Sequence, residues 1–186
     1  GINVTCRSVG ESGSGVASPT PVYPPFLSAP KLMDRRLITV PLAGDNREGW
    51  SVDAGRLDRG LADDASLLLW CHPHNPVGRA WRREELEAVA ETSLRNRTVI
   101  CSDEIHAQLI LEEGVKHIPL AALGPEVAAR TITLLAPSKA FNVAGLSCSL
   151  AVIPDDGLRR RFRRAMAGIV PSVNLTGYVA ALAAWR

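Results

Sequence analysis

The stretch TLLAPSKAFNVAGLS, residues 133–147, decides how the rest of this chain is read. An apolar run ends at Ala136, and Ser138, Lys139 and a turn around Gly145 follow at once. Read as a buried strand, the run sets a lysine where its ammonium would have to leave water, which calls for a nearby carboxylate or a chemical task. The same pattern, an apolar strand running into polar residues, recurs along the chain. ASLLLWC (65–71) runs into HPHNPVG (72–78), TVICSDEI (98–105) ends on acids and His106, and GVASP (15–19) leads to PVYPPF (21–26). RLITVPL (36–42), RTITLLA (130–136) and CSLAVIP (148–154) complete the predicted strands.

Helical periodicity fills the intervals. In RREELEAVAETSLRN (82–96), Leu86, Val89, Ala90 and Leu94 share one face, and the acids gather near the start, where the helix dipole favours them. Further helices are expected over 1–9, 24–33, 54–62, 156–168 and 172–185, with turns at GESGSG (10–15) and HPHNPVG. Strands alternating with helices predict an α/β three-layer sandwich with a mostly parallel sheet, and the absence of repeats or linkers predicts one domain over 1–186.

Composition narrows the function. With 46% hydrophobic and 22% charged residues and a net charge of +2, the chain has no overall bias toward nucleic acid or an anionic membrane. The arginines of LRRRFRRAM (158–166) read as the solvated side of a helix whose other side carries Leu158, Phe162, Ala165 and Ile169. Cys6, Cys71, Cys101 and Cys148 show no metal or redox spacing, which fits a reducing, cytoplasmic setting. No apolar run is long enough to span a bilayer, and no signal-peptide pattern is present.

In open α/β sheets, chemistry collects at the carboxyl ends of strands. The polar residues expected there are Tyr23, His72 to Asn75, Asp103 with His106, and Ser138 with Lys139. Singly, each has a structural reading: Asn75 as a turn residue, Asp103 as a satisfied carboxylate, Tyr23 as an aromatic at the core edge, the histidines as packed side chains. A metal site built from His72, His74, Asp103 and His106 is a competing reading, but it gives Lys139 no role.

Taken together and in order, PVYPPF, HPHNPVGR, SDEIH and APSKAFNVAGL resemble the fold-type I pyridoxal-phosphate enzymes, in the cystathionine β-lyase and cysteine C–S lyase branch close to aminotransferases. The resemblance implies the large-domain core of that fold and pyridoxal 5'-phosphate as cofactor. It implies that Lys139 carries the cofactor covalently and moves protons, and that Asp103 pairs with the pyridinium nitrogen. Asn75 would face the phenolic oxygen with His106 nearby, Tyr23 would stack on the ring, and Ser138 would bind the phosphate. The implied substrate is cysteine-derived, cleaved at Cβ–S to a thiol or persulfide, pyruvate and ammonia; the implied assembly is a homodimer.

Two departures stand out: Ala136 where relatives commonly carry a hydroxyl three residues before the lysine, and His72 where asparagine is commoner. The chain also starts where relatives finish a glycine-containing phosphate loop and stops before their small domain. That makes it either a fragment or a reduced form similar to the thiocysteine lyase domains of polyketide synthases, acting on a carrier-tethered substrate. An aminotransferase and a non-catalytic remnant of the fold are the alternatives.

Overall fold

The computed structural model describes residues 1–186. Helix α1 (Ile2–Ser8) precedes strand β1 (Gly15–Thr20), helix α2 (Pro25–Leu32) and strand β2 (Arg36–Pro41). A small hairpin, β3 (Ala43–Asp45) and β4 (Gly49–Ser51), leads to α3 (Ala54–Ala62), β5 (Ala65–Cys71), α4 (Arg83–Arg95) and β6 (Val99–Asp103). After a long excursion come a 3-10 turn at Leu120–Leu123, α5 (Pro125–Ala129) and β7 (Thr131–Leu135). A second 3-10 turn at Ala144–Leu146, β8 (Leu150–Val152), α6 (Asp156–Met166) and α7 (Leu175–Ala184) close the chain.

The six-stranded sheet runs β2-β1-β5-β6-β7-β8 and is parallel throughout except for β8, which pairs antiparallel with β7. Strand parity sorts its side chains between two cores. On one face Leu67, Leu69, Cys71 and Cys101 pack with Cys6 of α1, Phe26 of α2 and Phe162 of α6. On the other, Leu68, Trp70 and Ile100 pack with Leu57 and Leu61 of α3, Leu86 and Val89 of α4 and Val127 of α5. The result is the expected helix-sheet-helix sandwich. Being covered on both faces is also why β5 reads as an unbroken apolar run from Leu67 to Cys71.

Three expectations need correcting. The strand predicted over 148–154 shortens to Leu150–Val152, and all three residues are exposed, because β8 is the sheet's antiparallel edge and no helix covers it. Ile169 is exposed, since α6 ends at Met166 and the chain has left the helix's buried stripe by then. The β3–β4 hairpin and α5 were not predicted; each is too short to show a period. All four cysteines are free and buried.

Candidate functional site

The order of strands reverses at β1 and β5: the chain goes outward from β1 to β2, then crosses back to β5. At such a reversal the segments leaving the two strands diverge and a crevice opens beyond their carboxyl ends. Tyr23 and Asn75 lie on those two segments. The Tyr23 N–H donates to the Asn75 carbonyl (3.0 Å), and His74 Nε2 donates to the Pro21 carbonyl (2.9 Å). The Asn75 N–H also meets Cys71 Sγ at 3.4 Å, so the turn is stitched back to the end of β5.

β6 ends beside this crevice at Asp103, which is 6% exposed. Its carboxylate accepts one long bond, from the Ile105 N–H at 3.4 Å. Burial pushes its pKa up from 3.8 to about 6, against the opposing pull of the Ile105 hydrogen bond, then of the Gly1 α-ammonium and, least, of the Lys139 charge. Asp103 and Tyr23 line one cavity of about 770 Å³, walled by α1, β7, β8 and α6, with Arg159 and Arg163 on its rim. Asn75 and His106 line a second cavity, of about 370 Å³, together with His74 and Arg79. His106 is held below its usual pKa by burial first and by the Lys139 charge second.

Lys139 differs from the sequence expectation. It sits in the turn after β7, exposed, and its side chain makes no hydrogen bond or ion pair, so its ammonium remains in water. β7 is buried as predicted, but the chain turns outward at Pro137 before reaching the lysine. Ser138 is half-buried, and its hydroxyl is likewise without a partner. The six predicted residues therefore share the carboxyl edge of the sheet without converging on one cavity. Asp103 with Tyr23 and Asn75 with His106 form two groups, and Ser138 and Lys139 line neither cavity.

The competing metal site does not form. His72 Nε2 faces the Ile118 carbonyl at 3.0 Å and His74 is tied to Pro21, and no three His, Cys, Asp or Glu side chains group as ligands. Burial pushes both histidines down to about 4, so they are neutral donors to backbone carbonyls.

Sequence reading missed the second buried carboxylate, Glu104, and its partner His117. Glu104 is 1% exposed; Oε2 meets His117 Nε2 at 2.7 Å, while Oε1 accepts from the Ser102 hydroxyl (2.7 Å) and the Leu120 N–H (3.0 Å). Strand parity was the available signal: Asp103 and Glu104 must point to opposite faces of the sheet.

A doubly covered, mostly parallel sheet with polar groups at the carboxyl edge of its reversal point defines an α/β enzyme-like domain. The chain belongs to the aminotransferase class I and II family, whose profile matches residues 1–185. It is 36% identical over 166 residues to cystathionine beta-lyase PatB of Bacillus subtilis, covering 89% of this chain and 42% of that protein. Among solved structures it matches OvoB with a TM-score of 0.93 and 48% identity, over 100% of this chain and 48% of that one. Cystalysin from Treponema denticola, whose structure contains pyridoxal 5'-phosphate, matches with a TM-score of 0.90 and 33% identity, over 97% of this chain and 46% of that one. The chain thus spans about half the length of the relatives it matches. No helix is long and apolar enough to cross a membrane.

Proposed function

We propose that this chain forms the cofactor-binding part of a pyridoxal-phosphate-dependent C–S β-lyase that acts on a cysteine-derived substrate. The observation that carries the reading is Asp103: a nearly buried carboxylate with one long hydrogen bond, facing a large cavity at the carboxyl edge of the sheet. Such a group is short of donors, and a pyridinium N–H would supply one together with a positive charge at close range. When bound, pyridoxal phosphate supplies the electron sink that draws off the pair left at a substrate's Cα.

The chain's own residues have the remaining tasks. Asp103 would keep the proton on the ring nitrogen, and Tyr23, which lines the same cavity, would offer its ring. The Asn75 amide would donate toward the phenolic oxygen, and the free Ser138 hydroxyl would donate to phosphate. Lys139, exposed and unpaired, can carry the cofactor and receive the Cα proton. His106, kept neutral by burial and by the Lys139 charge, adds hydrogen bonding beside that amine without adding a second cation. Loss of the Cα proton is followed by rupture of Cβ–S, the sulfur leaving with the bonding pair, and the remaining carbon skeleton hydrolyses to pyruvate and ammonia. The name of cystathionine beta-lyase PatB supports elimination over transamination, although aminotransferases also stand among the relatives. Release of a persulfide, a carrier-tethered substrate and a homodimer are further parts of the proposal.

The test is to load the protein with pyridoxal phosphate, reduce with borohydride and map the labelled peptide, then assay products from an S-substituted cysteine. Labelling of Lys139 with pyruvate and thiol release is the expected result. Stoichiometric pyridoxamine phosphate with no sulfur release would reassign the chain to an aminotransferase, and no cofactor binding would leave a remnant of the fold.

A further inference from the structure

The excursion between β6 and the Leu120–Leu123 turn is held in an unusual way. Within 105–116 the backbone bonds are local: Ala107 N–H to Glu104, Leu109 N–H to His106 and Val115 N–H to Glu112, each donating to a carbonyl three residues back. No sheet or helix ladder ties this segment down, yet it supplies His106, Leu109, Ile110, Leu111, Glu112 and Val115 to the wall of the 370 Å³ cavity that begins at Asn75. Its position must come from side chains. Away from that cavity, Trp185 Nε1 donates to Gln108 Oε1 at 3.3 Å. At the base, three successive contacts seize the returning chain.

Those contacts start from β5 and β6. Glu104 Oε2 takes His117, His72 Nε2 takes the Ile118 carbonyl, and Glu104 Oε1 takes the Leu120 N–H. The rings of His72 and His117 also lie 4.4 Å apart and 31° from parallel, so the side chain that holds Ile118 packs against the one that Glu104 holds. The bonds assign the protons. His117 Nε2 must donate because Glu104 accepts; His72 Nε2 must donate because a carbonyl accepts, which leaves His72 Nδ1 to face the Trp81 N–H at 3.5 Å. His117 Nδ1 is buried without a partner, so the ring has no second bond to fall back on if the first is lost.

We propose that Glu104, His117 and His72 form a buried clamp that sets segment 105–116 as the outer wall of the Asn75–His106 cavity, making Glu104 and His117 positioning residues for the substrate portion beyond the reacting carbon. The clamp itself rests on geometry alone; its effect on substrate rests on the lyase reading above. It lies on the face of β6 opposite Asp103, so it shapes the cavity wall without touching the cofactor's ring nitrogen. This also gives a role to His72.

Glu104→Gln is the decisive variant. Its carbonyl can still accept from Ser102 and Leu120, but its amide presents N–H to the N–H of His117, and the alternative tautomer would place a proton on the unpartnered Nδ1. His117→Leu removes the donor outright, whereas His117→Gln retains an amide donor toward Glu104. Amide hydrogen exchange is read at Ala107, Leu109 and Val115, with β5 and α4 as internal controls. Exchange in the segment is expected to rise about tenfold in Glu104→Gln and His117→Leu, with unchanged controls, and to return toward the parent in His117→Gln. The double variant Glu104→Gln/His117→Leu should add little to either alone. On pyridoxal-loaded protein with an S-substituted cysteine, KM should rise about tenfold while kcat changes less than about threefold. Unchanged exchange in both single variants, or a rise shared equally by β5 and α4, would overturn the clamp. Raised exchange with KM unmoved would overturn its positioning role. A protein that shows the exchange pattern but no lyase turnover would leave the clamp standing and remove the lyase reading instead.

Discussion

Asp103 and Glu104 are consecutive carboxylates at the end of one strand, both almost fully buried, and they could hardly be more differently provided for. Glu104 points to one face of the sheet and is met by a hydroxyl, a backbone N–H and an imidazole. Asp103 points to the other face, into a large cavity, with a single long bond. Burial alone says nothing about role. A charge that the fold has already satisfied is holding structure together, and one left short of donors is a candidate for binding a ligand.

The sharpest way to break this contrast is by activity. Asp103→Asn should bind pyridoxal phosphate yet lose about a thousandfold in turnover, ~4 kcal/mol of barrier, because a neutral amide no longer holds the ring-nitrogen proton. Steady-state kinetics on the loaded variant checks this, and near-normal turnover would cancel the assignment.

Stability should rank the two acids in the opposite order. Glu104→Ala leaves His117 and the Leu120 N–H unpaired in the core and should cost about 3 to 4 kcal/mol in urea unfolding. Asp103→Ala removes a poorly satisfied charge and should cost less than ~1 kcal/mol or stabilise the protein. A larger loss at Asp103 than at Glu104 would reverse the comparison.

The contrast also has a pH signature. Asp103 titrates near 3.8 when unfolded and is raised to about 6 when folded, so between those values the folded state keeps a proton that the unfolded state has released. Its contribution to stability is fully present below 3.8 and is lost as pH rises through about 6, a change of about 3 kcal/mol. His72 and His74, lowered from 6.5 to about 4, act in the opposite sense in the same window, favouring the folded state above 6.5 and less so as pH falls. Unfolding free energies of the parent minus those of Asp103→Asn, measured from pH 4 to 7 without cofactor, cancel the histidines and should isolate the Asp103 slope. A flat difference would show that Asp103 is not strained by burial.

The smallest effect probes how completely Glu104 is satisfied. Ser102→Ala deletes one of its donors and should cost about 1 kcal/mol, visible as a lower urea midpoint at unchanged slope.

Much of the fold was legible because hydrophobic period is a local property. β5 at 65–71 and α3 at 54–62 fall on the predicted residues, and α4 differs by one at each end. Buried strands announce themselves by apolar runs, and amphipathic helices by the 3.6-residue repeat. The elements that escaped, the β3–β4 hairpin and α5, owe their form to tertiary contacts more than to their own three to five residues. For the site, strand-end position gathered the polar candidates, since strand ends in a parallel sheet share one edge, and the family resemblance of four ordered motifs singled out Tyr23, Asn75, Asp103, His106, Ser138 and Lys139 among them.

What the sequence by itself determined was the sandwich, its family and the edge that gathers the candidate residues, because these follow from patterns within a few residues and from four ordered motifs. Solvation and partnership it could not determine. That Lys139 stands exposed depends on the turn after β7, that Asp103 is left with one long bond depends on what packs around it, and that Glu104 is closed off by His117 and Leu120 depends on residues 13 and 16 positions away meeting it across the sheet's edge. Only the folded chain brings those groups within reach, and a hydrogen bond or a desolvation cost exists only between groups that have met.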